Sequence, residues 1–112
     1  MDFKIRTLLK DEERLLDFLI KMASISISKD WHKDLFVRQM DDGGMGSLRL
    51  FPHGVIDEDR IFGEQISEYI FEDEDGIKVI ASLNVDEENN LFELDIWKTD
   101  YSPLIKIPNI IS

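Results

Sequence analysis

The fold is decided by residues 77–98: Ile77-Lys78-Val79-Ile80-Ala81-Ser82-Leu83-Asn84-Val85-Asp86, then Glu87-Glu88-Asn89-Asn90, then Leu91-Phe92-Glu93-Leu94-Asp95-Ile96-Trp97-Lys98. Two alternating runs flank a polar turn, the pattern of a β-hairpin. Pairing Asp86 with Leu91 sets Val85 against Phe92, Leu83 against Leu94 and Ala81 against Ile96. All three pairs are apolar, so this register buries one face. The other face then carries Asn84 with Glu93, Ser82 with Asp95, and Ile80 with Trp97.

Outward from the hairpin, 112 residues suit a single domain, 1–112. The chain is 43% hydrophobic and 33% charged, and its apolar residues are periodic, which separates it from disordered chains of similar charge. The absence of cysteine excludes disulfides, thiolate nucleophiles and zinc-thiolate sites. Met1-Asp2-Phe3-Lys4-Ile5-Arg6 lacks the apolar core of a signal peptide, and no window approaches the apolar length of a membrane span. The expectation is a soluble, cytoplasmic protein.

Net charge is −11, unevenly spread. Residues 1–40 hold eight basic and seven acidic side chains, whereas residues 41–112 hold five and seventeen. A field of that sign repels nucleic acid and anionic membranes and attracts basic proteins.

Toward the N-terminus, residues 10–23 place Leu15, Leu16, Leu19, Ile20 and Ala23 on one helical stripe. Asp11, Glu12 and Glu13 favour the first turn through the helix dipole. Asp17 and Lys21 form an i,i+4 pair, and Thr7 offers an N-cap one turn earlier. Ser24–Ser28 reads as a connection. Leu35–Met40 and Leu48–Phe51 read as strands around the glycine-rich turn Asp42-Gly43-Gly44-Met45-Gly46-Ser47, and Pro52 ends the second. Val55–Arg60 reads as a loop and Glu64–Phe71 as a third strand, on which Ile66 and Ile70 compete with Tyr69 and Phe71 for the inward face. Leu104–Pro108 is an edge strand or a docked tail. The sum is an α+β protein: an N-terminal helix packed on an antiparallel meander sheet of about five strands.

No catalytic set emerges. The glycine turn lacks the lysine and following helix of a phosphate loop, and its two aspartates oppose an anion. The acidic turns lack the ligand spacing of an EF-hand. Two residues separate Asp95 from Lys98, against one in the (Asp/Glu)-x-Lys pattern of metal-dependent nucleases. His32 and His53 have no ligand-spaced partners, and no Ser-His-Asp arrangement stands out. No enzyme activity, metal or cofactor is expected.

The glycine turn, together with Glu93-Leu94-Asp95-Ile96-Trp97-Lys98-Thr99-Asp100-Tyr101-Ser102-Pro103-Leu104, resembles a family of small bacterial proteins of unknown function. The resemblance covers nearly the whole length and implies an N-terminal helix, the glycine turn and the Trp-Lys-x-Asp-x-Ser-Pro ending. In size, acidity and layout the chain is also similar to immunity proteins of bacterial toxin systems, from which no residue is carried over.

The leading expectation is a non-enzymatic domain binding a basic protein partner through Glu68, Glu93, Asp95, Trp97 and Asp100. A second is a small-ligand or metal site near the glycine turn, lined by Asp42, Gly43, Gly44 and Trp97. A third is a self-associating structural domain, a homodimer burying Ile80 and Trp97 or the tail Leu104–Ile107.

Overall fold

The computed structural model describes residues 4–109. The expected domain, 1–112, extends past the described residues, and the stretch Met1–Arg6 read for a signal peptide lies partly outside them. The elements are β1 (Ile5–Arg6), α1 (Lys10–Lys21), β2 (Phe36–Gln39), β3 (Leu48–Phe51), a 3₁₀ turn (Pro52–Gly54), β4 (Phe62–Glu72), β5 (Lys78–Asp86) and β6 (Leu91–Lys98). Among the described residues the class is α+β, with one helix packed on a six-stranded antiparallel sheet.

The helix forms where its leucines recur. Leu15, Leu16 and Leu19 are fully buried against the sheet, each contributing about 2 kcal/mol of apolar burial. It starts at Lys10 and not at a cap on Thr7, which is exposed. The Glu12 carboxylate accepts the Leu9 N–H at 2.9 Å and a forked pair from Arg6 at 2.8 and 2.9 Å, and so satisfies an orphan donor without a capping hydroxyl. The Asp17–Lys21 pair closes at 2.9 Å.

The sheet order is β1-β2-β3-β6-β5-β4, which corrects the meander. Two antiparallel three-stranded units, β1-β2-β3 and β4-β5-β6, join where Leu48 meets Leu94 and Arg49 meets Glu93. The connection from β3 to β4 returns past the β5–β6 turn, and the pairing sets buried Leu48 and Leu50 beside the hairpin's own core residues. A chain-order meander would leave β3 against β4 instead. The extra strand is β1, two residues paired with Val37 and Arg38.

The hairpin register holds for Leu83–Leu94, Ala81–Ile96, Ile80–Trp97, Ser82–Asp95 and Asn84–Glu93. It slips at the turn end, where a bulge pairs Val85 with Leu91 and not with Phe92. Leu91 joins the core, and Phe92 turns to the other face beneath Arg49 and Arg60, at 4.5 and 5.2 Å from ring centre to guanidinium. A second bulge, between Gln65 and Ser67 on β4, settles the competing faces. Ile66, Tyr69 and Phe71 all pack on the core, and Ile70 points outward. Pairs with a one-residue slip defeat simple alternation.

Leu104–Pro108 forms no strand. It is a docked tail whose Ile107 enters the core.

Candidate functional site

The helix covers one face of the sheet; on the opposite face Arg60 of the β3–β4 connection lies over Phe51 and Phe92, and the part around Glu68, Ile70, Asp95 and Trp97 is open. Alternation from the core pairs places the outward side chains in cross-strand rows. One row runs Gln65, Asn84, Glu93, Arg49, Arg38. The next runs Glu68, Ser82, Asp95, and the third Ile70, Ile80, Trp97.

These rows differ in chemistry. In the first, Arg49 approaches Glu93 at 3.3 Å, and Arg38 bonds Glu58 at 2.6 Å, so its charges are internally matched. In the second, Glu68 and Asp95 are exposed. The third is apolar and open: Ile70 is 49% exposed and Trp97 40%. Tyr101 extends it, 70% exposed, with its ring centre 6.1 Å from that of Trp97. Its backbone is left-handed, φ 65°, an uncommon state for an aromatic residue.

Four of the five residues expected to meet a partner therefore share this face: Glu68, Glu93, Asp95 and Trp97. Glu93 is half-buried and already paired. Asp100 lies in the turn after β6, where it accepts the Ser102 hydroxyl at 2.6 Å and the Ser102 N–H at 3.0 Å. Those bonds, the hydroxyl first, hold its carboxyl below the usual range.

The glycine turn is built for another purpose. The Asp42 carboxylate accepts the N–H groups of Met45 at 3.1 Å and Ser47 at 2.9 Å, so the donors a phosphate would use are occupied. Gly43 is exposed with open space around it. A Cβ on Gly44 would lie 3.3 Å from Pro103, and one on Gly46 3.3 Å from Leu104. The Gly44 carbonyl accepts the Leu104 N–H at 3.0 Å. The turn is thus the seat of the tail, and the two motifs that carry the sequence resemblance touch each other. Trp97 stands apart, on the open face.

A lysine lock completes the seat. Lys98 Nζ donates to Asp73 at 2.9 Å, Asp75 at 2.6 Å and the Pro103 carbonyl at 3.2 Å. Asp73 also accepts the N–H groups of Ile105, Lys106 and Glu74, at 2.8, 3.1 and 2.8 Å. Burial alone would push the Asp73 carboxyl up. The Ile105 N–H, the Lys98 ammonium and the other two N–H groups outweigh it and hold the carboxyl at about 2. Burial likewise pulls Lys98 down, but Asp75 and Asp73 reverse the sign and raise it above its ordinary 10.5. The lock was legible in part: Lys98 has the same parity as Leu94 and Ile96, and an inward lysine requires a carboxylate partner.

At the far end of the sheet, a cleft of about 390 Å³ lies between the β3–β4 connection and the β5–β6 turn. Asp57, Asp59, Glu87 and Glu88 rim it with His53. Arg60 and Asp86 in its wall bond to each other at 3.2 Å. His32 and His53 are exposed, and no group of three metal-binding side chains occurs among the described residues. No described helix is long and apolar enough to cross a membrane.

Residues 5–108 match the model of a family described as a domain of unknown function (DUF6984), in accord with the resemblance to a family without an assigned activity. No curated protein and no solved structure matches the chain.

Proposed function

We propose that this chain, which belongs to the DUF6984 family, is a non-enzymatic protein-binding domain whose open sheet face takes a basic partner protein. One observation carries the reading: exposed Glu68 and Asp95 lie in the row directly beside the apolar row of exposed Ile70, half-buried Ile80 and exposed Trp97, extended by Tyr101. Aromatic anchors beside unneutralised carboxylates give a partner both buried area and charge complementarity. The net charge of −11 adds long-range attraction for a basic protein. A basic toxin met by an immunity protein is the kind of complex this describes.

The small-ligand reading lacks comparable support, because Asp42 and Gly44 are engaged within the fold and Trp97 is not beside them. Self-association through the same face would bring Glu68 and Asp95 of two copies together.

The test is co-purification from the native host at low salt, with wild type compared against Glu68→Lys, Asp95→Lys and Trp97→Ala. A basic protein released by salt, and lost in the variants, is the expected result. An eluate unchanged by all three substitutions would overturn the reading.

A further inference from the structure

The open face ends at β4, and β4 is an edge. Its outer side is covered at one point among the described residues, where the Ile66 carbonyl accepts the Ser24 N–H at 2.9 Å. That bond fixes which backbone groups point outward. Ile66 faces the edge. At the strand's other end the Asp73 N–H points to β5, where it bonds Ile77 at 2.9 Å. In an antiparallel ladder both groups of a residue face the same neighbour and successive residues alternate. Ser67, Tyr69, Phe71 and Asp73 therefore bond toward β5. The N–H and C=O groups of Glu68, Ile70 and Glu72 point to the open edge. The side chains of these same three residues are exposed on the open face.

We propose that β4 receives an extended segment of the basic partner as an added strand along Glu68–Glu72, about 14 Å of edge, a step that rests on the reading of the open face as a site for a basic protein. The side chains name the segment. Glu68 and Glu72 call for basic residues opposite them, and Ile70 between them calls for an apolar one, so the incoming strand reads basic-x-apolar-x-basic. The same pair selects against a second copy of this chain. Antiparallel pairing of two β4 edges about Ile70 would set Glu68 against Glu72 twice, and like charges directly opposite are destabilising. Uncovered edges are an aggregation hazard that proteins blunt with charge, and here the charge leaves one kind of strand admissible.

The probe is the peptide amide Thr-Lys-Thr-Val-Thr-Lys-Thr, titrated at low salt into the full chain and followed by amide hydrogen exchange and by the Trp97 indole N–H resonance. Slowed exchange at Glu68, Ile70 and Glu72, absent with a Thr-Glu-Thr-Val-Thr-Glu-Thr control, is expected. Ile70→Pro removes one edge donor at a position where an edge strand tolerates proline, and binding should fall at least tenfold. The wild-type exchange pattern decides the matter even if that variant misfolds. A shifted Trp97 resonance with unchanged edge exchange overturns strand addition and leaves the open-face reading standing. No change at either position overturns both for an extended basic segment. Protection of the same amides without peptide, together with a dimeric mass, overturns the proposal in favour of self-pairing.

Discussion

Lys98 and Asp73, 25 residues apart in sequence, meet at 2.9 Å with side chains 1% and 0% exposed. Around this pair the β4–β5 turn, the end of β6 and the tail are bound together. Asp75 and the Pro103 carbonyl take the other ammonium protons, and three backbone N–H groups fill the remaining capacity of Asp73. A buried pair so fully bonded is costly to break and less costly to replace.

Removing one partner should expose that asymmetry. Asp73→Ala takes the buried one of two carboxylates from the Lys98 ammonium and leaves three N–H donors without their acceptor, and should lower unfolding stability by about 3 kcal/mol. The double variant Asp73→Leu with Lys98→Met should recover part of the loss. Urea unfolding measures both. A double variant as unstable as the sum of the two single ones would refute the buried pair as the cause.

Acid should release the same lock. The folded Asp73 carboxyl titrates at about 2 against an ordinary 3.8. A carboxyl lowered on folding contributes stability that is complete above its unfolded pKa and is lost as pH falls through its folded one. Stability should therefore decline from about pH 4 toward pH 2 with one extra proton taken up on unfolding. Asp73→Asn should flatten that part of the profile. Lys98 is raised, so its contribution persists below 10.5 and fades only at higher pH. Thermal melts of both proteins across the acid range provide the comparison.

Two neighbouring glycines should respond differently to alanine. Both have positive φ, 74° at Gly43 and 83° at Gly44, so each substitution costs about 1 kcal/mol of backbone strain. Gly43 has open space around it, whereas a Cβ at Gly44 meets Pro103 at 3.3 Å. Gly44→Ala should cost about 1 kcal/mol more and speed proteolysis after Lys98, because it unseats the tail. Equal losses would mean the tail yields freely.

Arg60 holds the β3–β4 connection to the sheet. Its guanidinium donates to the carbonyls of Leu50, Leu91 (2.8 Å) and Asp57 (3.2 Å), and to Asp86 (3.2 Å). A lysine cannot reproduce that fork. Arg60→Lys should lose about 2 kcal/mol and open residues 55–61 to limited proteolysis. An unchanged cleavage pattern would show that the other ties suffice: Arg38 to Glu58, the Glu87 N–H to the Ile61 carbonyl at 3.1 Å, and Gly63 against the Asp86 carbonyl, where no Cβ fits.

Tyr101 separates stability from binding. Glycine at φ 65° relieves about 1 kcal/mol of strain, which its greater freedom in the unfolded chain nearly cancels. Tyr101→Gly should melt within about 2 °C of wild type while weakening capture of the basic partner about tenfold. Wild-type capture by this variant would remove Tyr101 from the binding face.

Local pattern determined a good deal here. The leucine stripe of α1, the pairs Leu83–Leu94 and Ala81–Ile96, and the outward Asp95 and Trp97 all follow from periods of 3.6 and 2 acting on neighbouring residues. Such periods need no knowledge of what lies across the sheet. The tertiary structure decided what those periods cannot express. Bulges at Phe92 and Ile66 shift the count by one, and only contact with Arg49, Arg60 and the core selects the face that results. The pairing of Leu48 with Leu94 over that of β3 with β4 depends on closing a long connection against a shared core. The burial of Lys98, and the meeting of the glycine turn with Pro103 and Leu104, depend on charges and backbone groups far apart in sequence, whose desolvation is repaid only once the whole tail is in place.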